Sequence, residues 1–324
     1  MKRLISIVIS LLILILIYWK IDGRGLMHVF QNCNGGWMIV SLAMVIPLTL
    51  FTAWRLQQLM PPVGANHRSS LRFGESNRLI LVASVLNMVL PSKMGDIAKA
   101  YFMRERGHLS GSLSLSLVIF EKACDMLSLL LWCVFGLILY PAKDWLFWTM
   151  TAGVGLGFAI GLFLLGSPQF AQVFFVIGQA IVPKKLKLKV GKLEQSWREM
   201  QTYFWSDPAQ LLKITTTSIL IWFLHLLQIW LFILALNASV PFLANLALSP
   251  LAILAGLLPL TFAGVGTRDA ALIWFYQPFL SAPTAAALGL LCTSRYLVPA
   301  IAGLPFLGQY LTVIQDMKTT RKQL

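Results

Sequence analysis

Residues 78–106 read RLILVASVLNMVLPSKMGDIAKAYFMRER, and this stretch decides the architecture. Its apolar run, Leu79 to Leu90, is about 12 residues long, whereas a helical crossing of a bilayer needs ~20. Both flanks are basic: Arg72 and Arg78 precede the run, Arg104 and Arg106 follow it. Lys and Arg collect on the cytoplasmic side of membrane segments. A single crossing would put one basic flank on the wrong side. A re-entrant hairpin satisfies both: the chain dips in from the cytoplasm, turns at Pro91-Ser92-Lys93-Met94-Gly95-Asp96, and returns.

The surrounding chain supports a membrane setting. Of its 324 residues, 58% are hydrophobic and only 12% charged, about half the charged share of soluble domains. The mean hydropathy is +0.76. Six runs approach spanning length, at about 4–19, 37–54, 113–139, 145–165, 213–236 and 285–312. Trp19, Trp37, Trp54, Trp145 and Trp148 fall near their ends, where the membrane interface favours aromatic rings. The first run follows Lys2 and Arg3 but no small-x-small cleavage site follows it, so it reads as an uncleaved span. The expected fold is an all-α integral membrane protein: one polytopic domain over 1–324, with six full spans and two re-entrant hairpins entering from opposite faces.

The net charge of +14 would suggest nucleic acid in a soluble protein. Here the cations sit in short connections between apolar runs, so no nucleic-acid partner is expected. Lys2 and Arg3, the 55–78 connection (Arg55, Arg68, Arg72, Arg78), the 166–212 connection (Lys184, Lys185, Lys187, Lys189, Lys192, Arg198) and the tail (Lys318, Arg321, Lys322) all read as cytoplasmic. Both termini are therefore expected in the cytoplasm, at an inner, cytoplasmic-type membrane. The segment 170–212 reads as a basic amphipathic connector against anionic headgroups at that face. Cys33, Cys124, Cys133 and Cys292 form no Cys-x-x-Cys pair, and His28, His67, His108 and His225 are scattered. Neither a metal site nor a cofactor is expected. No nucleotide-binding or hydrolase motif appears, so no catalytic residue is assigned.

A second segment, 246–280, begins and ends outside by the same charge count. It turns between Thr261 and Asp269 through Gly264 and Gly266. The two halves show a weak likeness. Pro91, Gly95 and Asp96 in one match Pro259, Gly266, Arg268 and Asp269 in the other. Leu109-Ser110 and Leu280-Ser281 follow the glycines Gly95 and Gly266 at the same offset. A charged span comes next: Glu121, Lys122 and Asp125 in one half, Arg295 in the other. Opposite orientation of such halves is the pattern of inverted repeats in secondary transporters. Irregular backbone at membrane depth needs protein or a water-filled cavity around it, so a polar cavity between the hairpins is expected.

Charges inside spans are costly and mark functional sites. Glu121 and Asp125, four residues apart, share one helix face. Both they and Arg295 fall near mid-span, so a pair between Arg295 and Glu121 or Asp125 is geometrically reasonable. Lys93 and Asp96 sit at the first turn, Arg268 and Asp269 at the second. Gly95, Gly264 and Gly266 allow tight turns and close backbone approach. Amides at such helix starts can hold a phosphate, and Arg268 could add a bidentate contact. His225, beside Gln228, reads as a hydrogen-bonded interior histidine.

Four motifs resemble one family in this order. They are Leu90-Pro91-Ser92-Lys93-Met94-Gly95-Asp96, then Arg104-Glu105-Arg106-Gly107, then Glu121-Lys122-Ala123-Cys124-Asp125, then Gly264-Val265-Gly266-Thr267-Arg268-Asp269-Ala270-Ala271. Arg295 fits the basic residue of the last segment. The chain looks like the transmembrane domain of lysylphosphatidylglycerol synthases, the flippase-like membrane proteins, over roughly 1–315. Lys122 stands where that family usually has Arg, and Asp269 where it has Glu. The resemblance implies translocation of a phospholipid or lipid-linked headgroup between leaflets. The chain stops at Leu324 without the soluble aminoacyl-transferase domain of the full synthases, so lipid aminoacylation is not expected of it. The headgroup path would run between the hairpins, past Lys93, Gly95, Asp96, Glu121, Lys122, Asp125, Gly264, Gly266, Arg268, Asp269 and Arg295. Two alternatives stay open. One is a membrane transferase on a lipid-linked substrate, using Asp96 and Lys93. The other is an accessory subunit that recruits a lipid-modifying synthase through 184–198.

Overall fold

Long apolar runs become long helices here, and their ends fall where the sequence supplies capping groups. The computed structural model of the protein describes residues 23–60, 71–89, 94–105, 111–140, 143–257 and 266–310. Among them there is no strand. The helices are α1 (Gly23–Gln31), α2 (Gly35–Ala43), α3 (Val45–Leu59), α4 (Phe73–Val89), α5 (Met94–Glu105), α6 (Gly111–Leu139) and α7 (Trp145–Gly166). Then come α8 (Pro168–Ile181), α9 (Lys184–Trp205), α10 (Pro208–Ala235), α11 (Phe242–Leu257), α12 (Thr267–Tyr276) and α13 (Ala282–Leu307). The 4–19 span, Pro91 to Lys93, Gly264 and the tail cations lie outside the described residues.

Among the described residues, five stretches are long and apolar enough to cross a membrane: Gly35–Leu59, Leu113–Leu139, Trp145–Gly166, Pro208–Ala235 and Ala282–Tyr310. They match five of the expected spans with shifted ends. The first runs past Trp54 to Leu59, because Leu56 and Leu59 are fully buried and carry the helix on. Arg55 is therefore not a connecting-loop cation, as the charge count took it. It lies within a spanning helix and is 2% exposed. The fourth begins at Pro208 rather than 213, because Asp207 accepts the Gln210 N–H at 3.0 Å and Pro208 suits the first helical position.

The chain divides into two compact units. The first holds the described residues of Met1–Leu48, Leu129–Gly155 and Trp222–Val298. The second holds those of Thr49–Ser128, Leu156–Ile221 and Pro299–Leu324. Each contains one short helix pair: α11 and α12 pack together in the first unit, α4 and α5 in the second. At 1.5 Å per residue these helices are roughly 24, 15, 25 and 18 Å long, all short of a ~30 Å hydrocarbon core.

Burial separates α11 most sharply from the span α7. Nine consecutive residues of α11, Asn245 to Ile253, are buried, so this helix is interior on every side. Seven residues of α4 are buried, on more than one face. By contrast α7 buries only Phe147 and Val154 and exposes Trp145, Trp148, Leu156, Leu162 and Phe163. Water would not tolerate so broad an apolar surface; lipid does.

The connector expected over 170–212 is two packed helices, α8 and α9. One face of α9 seals the end of α7. The Trp197 indole N–H and the Gln201 amide both donate to the Leu164 carbonyl, at 3.1 and 2.8 Å. The Trp205 indole N–H donates to the Leu165 carbonyl at 2.8 Å. These carbonyls belong to the last turn of α7, which has no partner within its own helix.

Candidate functional site: two polar clusters

The second unit carries a buried ion network built from three helices. Arg55 on α3 donates through Nη2 to Glu121 Oε1 at 3.1 Å and through Nη1 to Asp125 Oδ1 at 2.5 Å. The same Nη1 donates to Ser218 Oγ on α10 at 3.1 Å. Lys99 on α5 hydrogen-bonds the other Glu121 oxygen, Oε2. Lys122 bridges Asp96 at 3.0 Å and Asp125 at 3.5 Å. Arg55, Lys99 and Glu121 are each 2% exposed or less; Lys122 is half-exposed and closes the outer side.

Three cations face three carboxylates, so the formal charge of this network is zero. The helical period explains the pattern: Glu121 and Asp125 lie one turn apart on α6 and both face α3. Lys99 lies one turn after Asp96 on α5, and the two are 3.9 Å apart. Gly95 lets α5 approach α4. A Cβ there would overlap the Ala83 carbonyl and sit 2.8 Å from the Asn87 amide nitrogen.

In the first unit, Arg268 and Asp269 open α12. Gly266 has φ of 100°, a conformation that side-chain-bearing residues avoid. That turn aims its N–H at Asp269 Oδ2, 3.1 Å away. Arg268 spends its donors locally. It bonds Asp269 Oδ1 at 2.7 and 3.0 Å, the Gly289 carbonyl at 3.0 Å and Thr293 Oγ1 at 2.9 Å. This pair is wedged between glycines: a Cβ on Gly256 would lie 2.8 Å from Arg268, and one on Gly289 would lie 2.9 Å from Asp269. Arg268 is 4% exposed, and its Nε–Nη2 edge is taken up by protein groups.

Beneath it, α11 and α12 are pinned by a neutral network. Tyr276 Oη and Ser249 Oγ are 2.7 Å apart, and each also reaches Asn245 Oδ1, at 2.8 and 2.9 Å. The Asn245 amide donates to the Leu226 carbonyl at 2.9 Å. Arg295 on α13 is 2.7 Å from His225 Nδ1 on α10. A guanidinium only donates, so Nδ1 accepts and the imidazole is neutral with its proton on Nε2.

The pair expected between Arg295 and Glu121 or Asp125 is replaced on both sides. The carboxylates take Arg55, Lys99 and Lys122, and Arg295 takes His225. Arg55 and Lys99 were missed as site residues. Arg55 was counted with a loop, although Leu56 and Leu59 continue the apolar pattern beyond it. The spacing of Lys99 from Asp96 was a readable signal. Nothing in the local sequence marks His225 as the partner of Arg295, 70 residues away.

Among the described residues no group of His, Cys, Asp and Glu could hold a metal ion. Comparison with known proteins assigns the chain. Residues 3–303 match the model of the lysylphosphatidylglycerol synthase TM region. The UPF0104 membrane protein MJ1595 of Methanocaldococcus jannaschii is 22% identical over 317 residues, covering 93% of each chain. A second protein of that organism, UPF0104 membrane protein MJ1078, is 25% identical over 59% of this chain and 79% of its own. A UPF0104 membrane protein of Methanothermobacter thermautotrophicus is 22% identical over 71% of this chain and 74% of its own. With spanning helices in the expected places and a match over nearly its whole length, this multi-pass membrane protein belongs to the lysylphosphatidylglycerol synthase transmembrane-region family.

Proposed function

We propose that the protein moves a phospholipid or lipid-linked headgroup between the leaflets of an inner, cytoplasmic-type membrane, with both termini in the cytoplasm. The observation that carries this reading is the placement of ionised side chains on spanning helices beside two short, interior helix pairs. Charges at membrane depth are costly and are retained where a polar species must pass or bind. The short helices cannot cross alone. Nine consecutive residues of α11 are buried, and burial inside protein is the condition under which re-entrant backbone is tolerated.

The two units support the inverted-repeat reading. In each, a short helix pair is followed by a long helix, α6 or α13. In each, the second short helix has Asp at its third residue, Asp96 or Asp269. Each start is tied to the following long helix: Asp96 to Lys122, eleven residues after Gly111, and Arg268 to Thr293, eleven after Ala282. The long helix before each pair also bonds the one after it, through Arg55 to Asp125 and His225 to Arg295.

The test is reconstitution. Purified protein in liposomes is expected to bring a fluorescent phosphatidylglycerol on the inner leaflet within reach of external dithionite faster than in protein-free vesicles. No acceleration for any anionic or polyprenyl-linked lipid would refute the transport reading. Cysteines at positions 80 and 104 should label from the same side, and labelling from opposite sides would refute the first re-entrant pair.

A further inference from the structure

We infer that the α8–α9 hairpin docks on an anionic phospholipid surface, with its apolar contact on α8 and its cations at the start of α9. The inference does not depend on transport. It rests on exposure and charge within the second unit, to which both helices belong.

The inner face of the hairpin is complete. Ala171 and Phe175 of α8 are buried. The Phe175 ring lies 6.1 Å from that of Trp197, and the Gln179 amide donates to Glu194 Oε2 at 2.8 Å. The later residue on α8 meets the earlier one on α9, so the helices are antiparallel and turn at Val182-Pro183. The outer face of α8 is also apolar but stays exposed. Val173, Phe174, Val176, Ile177 and Ile181 are 44–78% exposed. Val173, Ile177 and Ile181 follow the four-residue spacing of one helix face. A helix apolar on both faces belongs in an apolar medium.

The cations lie on the other helix. Residues 184–193 contain Lys184, Lys185, Lys187, Lys189 and Lys192 and no acidic residue, a formal charge of +5. Lys187 and Lys192 are exposed. The next acid, Glu194, is paired with Arg198 at 2.5 Å, so it does not offset the lysines.

The occupant follows from where the hairpin is fastened. Trp197, Gln201 and Trp205 tie the C-terminal half of α9 to the last turn of α7, where a candidate span ends. Lys187 precedes Gln201 by fourteen residues, roughly 21 Å along the helix. A hairpin standing off the membrane would hold its cations beyond the ~8–10 Å reach of surface charge and leave the α8 face in water. Lying on the surface, it buries that face at the boundary of headgroups and acyl chains and sets the lysines among the headgroups, as interfacial helices do. An acidic soluble partner would match the lysines alone.

The experiment reads the depth of α8 in the reconstituted full chain. Ile177→Cys carries an NBD fluorophore in a chain whose Cys33 is replaced by Ser; the other three cysteines are buried. The vesicles are phosphatidylcholine alone or mixed with phosphatidylglycerol, each with and without a doxyl-labelled lipid. Long- and short-lived NBD emission give the ratio of docked to undocked hairpin. That ratio should be higher with phosphatidylglycerol, and doxyl lipid should quench the long-lived emission. Lys187→Gln and Lys192→Gln should each lower the ratio about fivefold in those vesicles, and added salt should lower it too. Both lysines are exposed, so these variants keep the fold. If Ile177→Cys does not fold, Val173→Cys carries the label on the same face. A label that stays in water in both vesicles overturns the inference and leaves the hairpin to solvent or a protein partner. A label shielded from water but not quenched by doxyl lipid overturns it in favour of a protein cover. Equal docking in both vesicles, unmoved by the lysine variants, overturns the anionic assignment. None of these readouts requires lipid to cross the bilayer, so failure of docking and failure of transport are distinguishable.

Discussion

The two units each bury an aspartate in the first turn of a short helix, and they pair it in opposite ways. In the second unit, Asp96 joins a network of three cations and three carboxylates contributed by α3, α5 and α6. In the first, Arg268 and Asp269 are neighbours in sequence and satisfy each other, with backbone and hydroxyl groups taking the remainder. The first solution is distributed, so every member depends on helices far apart in the chain. The second is local, and in the same unit Arg295 is hydrogen-bonded to His225. The difference teaches that likeness of motif does not imply likeness of electrostatics: one cluster is a network drawn from three helices, the other a pair of adjacent residues.

The sharpest way to break this contrast is to remove one guanidinium from each unit. Arg55→Met should leave Glu121 and Asp125 short of their largest shared partner and cost about 3–5 kcal/mol, read as a lowered unfolding midpoint in detergent. Arg295→Met removes a charge that, among the described residues, is in no ion pair, and should cost under about 1 kcal/mol, the range for substitutions that break no such network. Equal losses would mean that the two clusters are energetically alike.

A matched pair of glycines tests the shared part of the design. A Cβ on Gly303 would lie 2.7 Å from the Leu81 carbonyl carbon on α4, and one on Gly136 would lie 3.1 Å from that of Ala247 on α11. In both cases it would also overlap the carbonyl oxygen. Each glycine lets a long helix approach the first member of a short pair. Gly303→Val and Gly136→Val should each cost about 1–3 kcal/mol by overpacking, and thermal unfolding of the two variants should show drops of similar size. A drop in only one would argue against equivalent packing of the pairs.

The smallest expected effect comes from single hydroxyls. Ser218 accepts from Arg55, and Ser249 joins the Asn245 and Tyr276 network. Ser218→Ala and Ser249→Ala should each lower stability by about 0.5–1.5 kcal/mol, measurable in the same unfolding assay. A much larger effect at Ser249 would identify the neutral network as the main fastener of α11 to α12.

Much of the fold was legible because spanning is a local property. Hydrophobic length fixes which runs cross, and caps such as Asp207-Pro208 fix where helices begin. The shortness of the first pair was legible from the same arithmetic, through the brevity of Leu79–Leu90. Charged residues within or beside the apolar runs were legible as types. Glu121, Lys122, Asp125, Arg268, Asp269 and Arg295 stood out as charges in apolar surroundings. Partners were not. Arg55 and Glu121 are 66 residues apart, Arg295 and His225 are 70, and which faces meet depends on helix rotation and packing that no local pattern encodes.

The sequence by itself therefore determined that the chain lives in lipid, which runs are long enough to cross it, and which charged residues lie within or beside those runs. Length, hydropathy and charge position suffice for that, since the bilayer acts on each segment separately. Only the tertiary structure decided that Arg55 is buried rather than in a loop, that Arg268 is already engaged, and that Arg295 rests on a neutral histidine. Those outcomes depend on which side chains come within hydrogen-bonding distance, and packing between distant segments sets that distance.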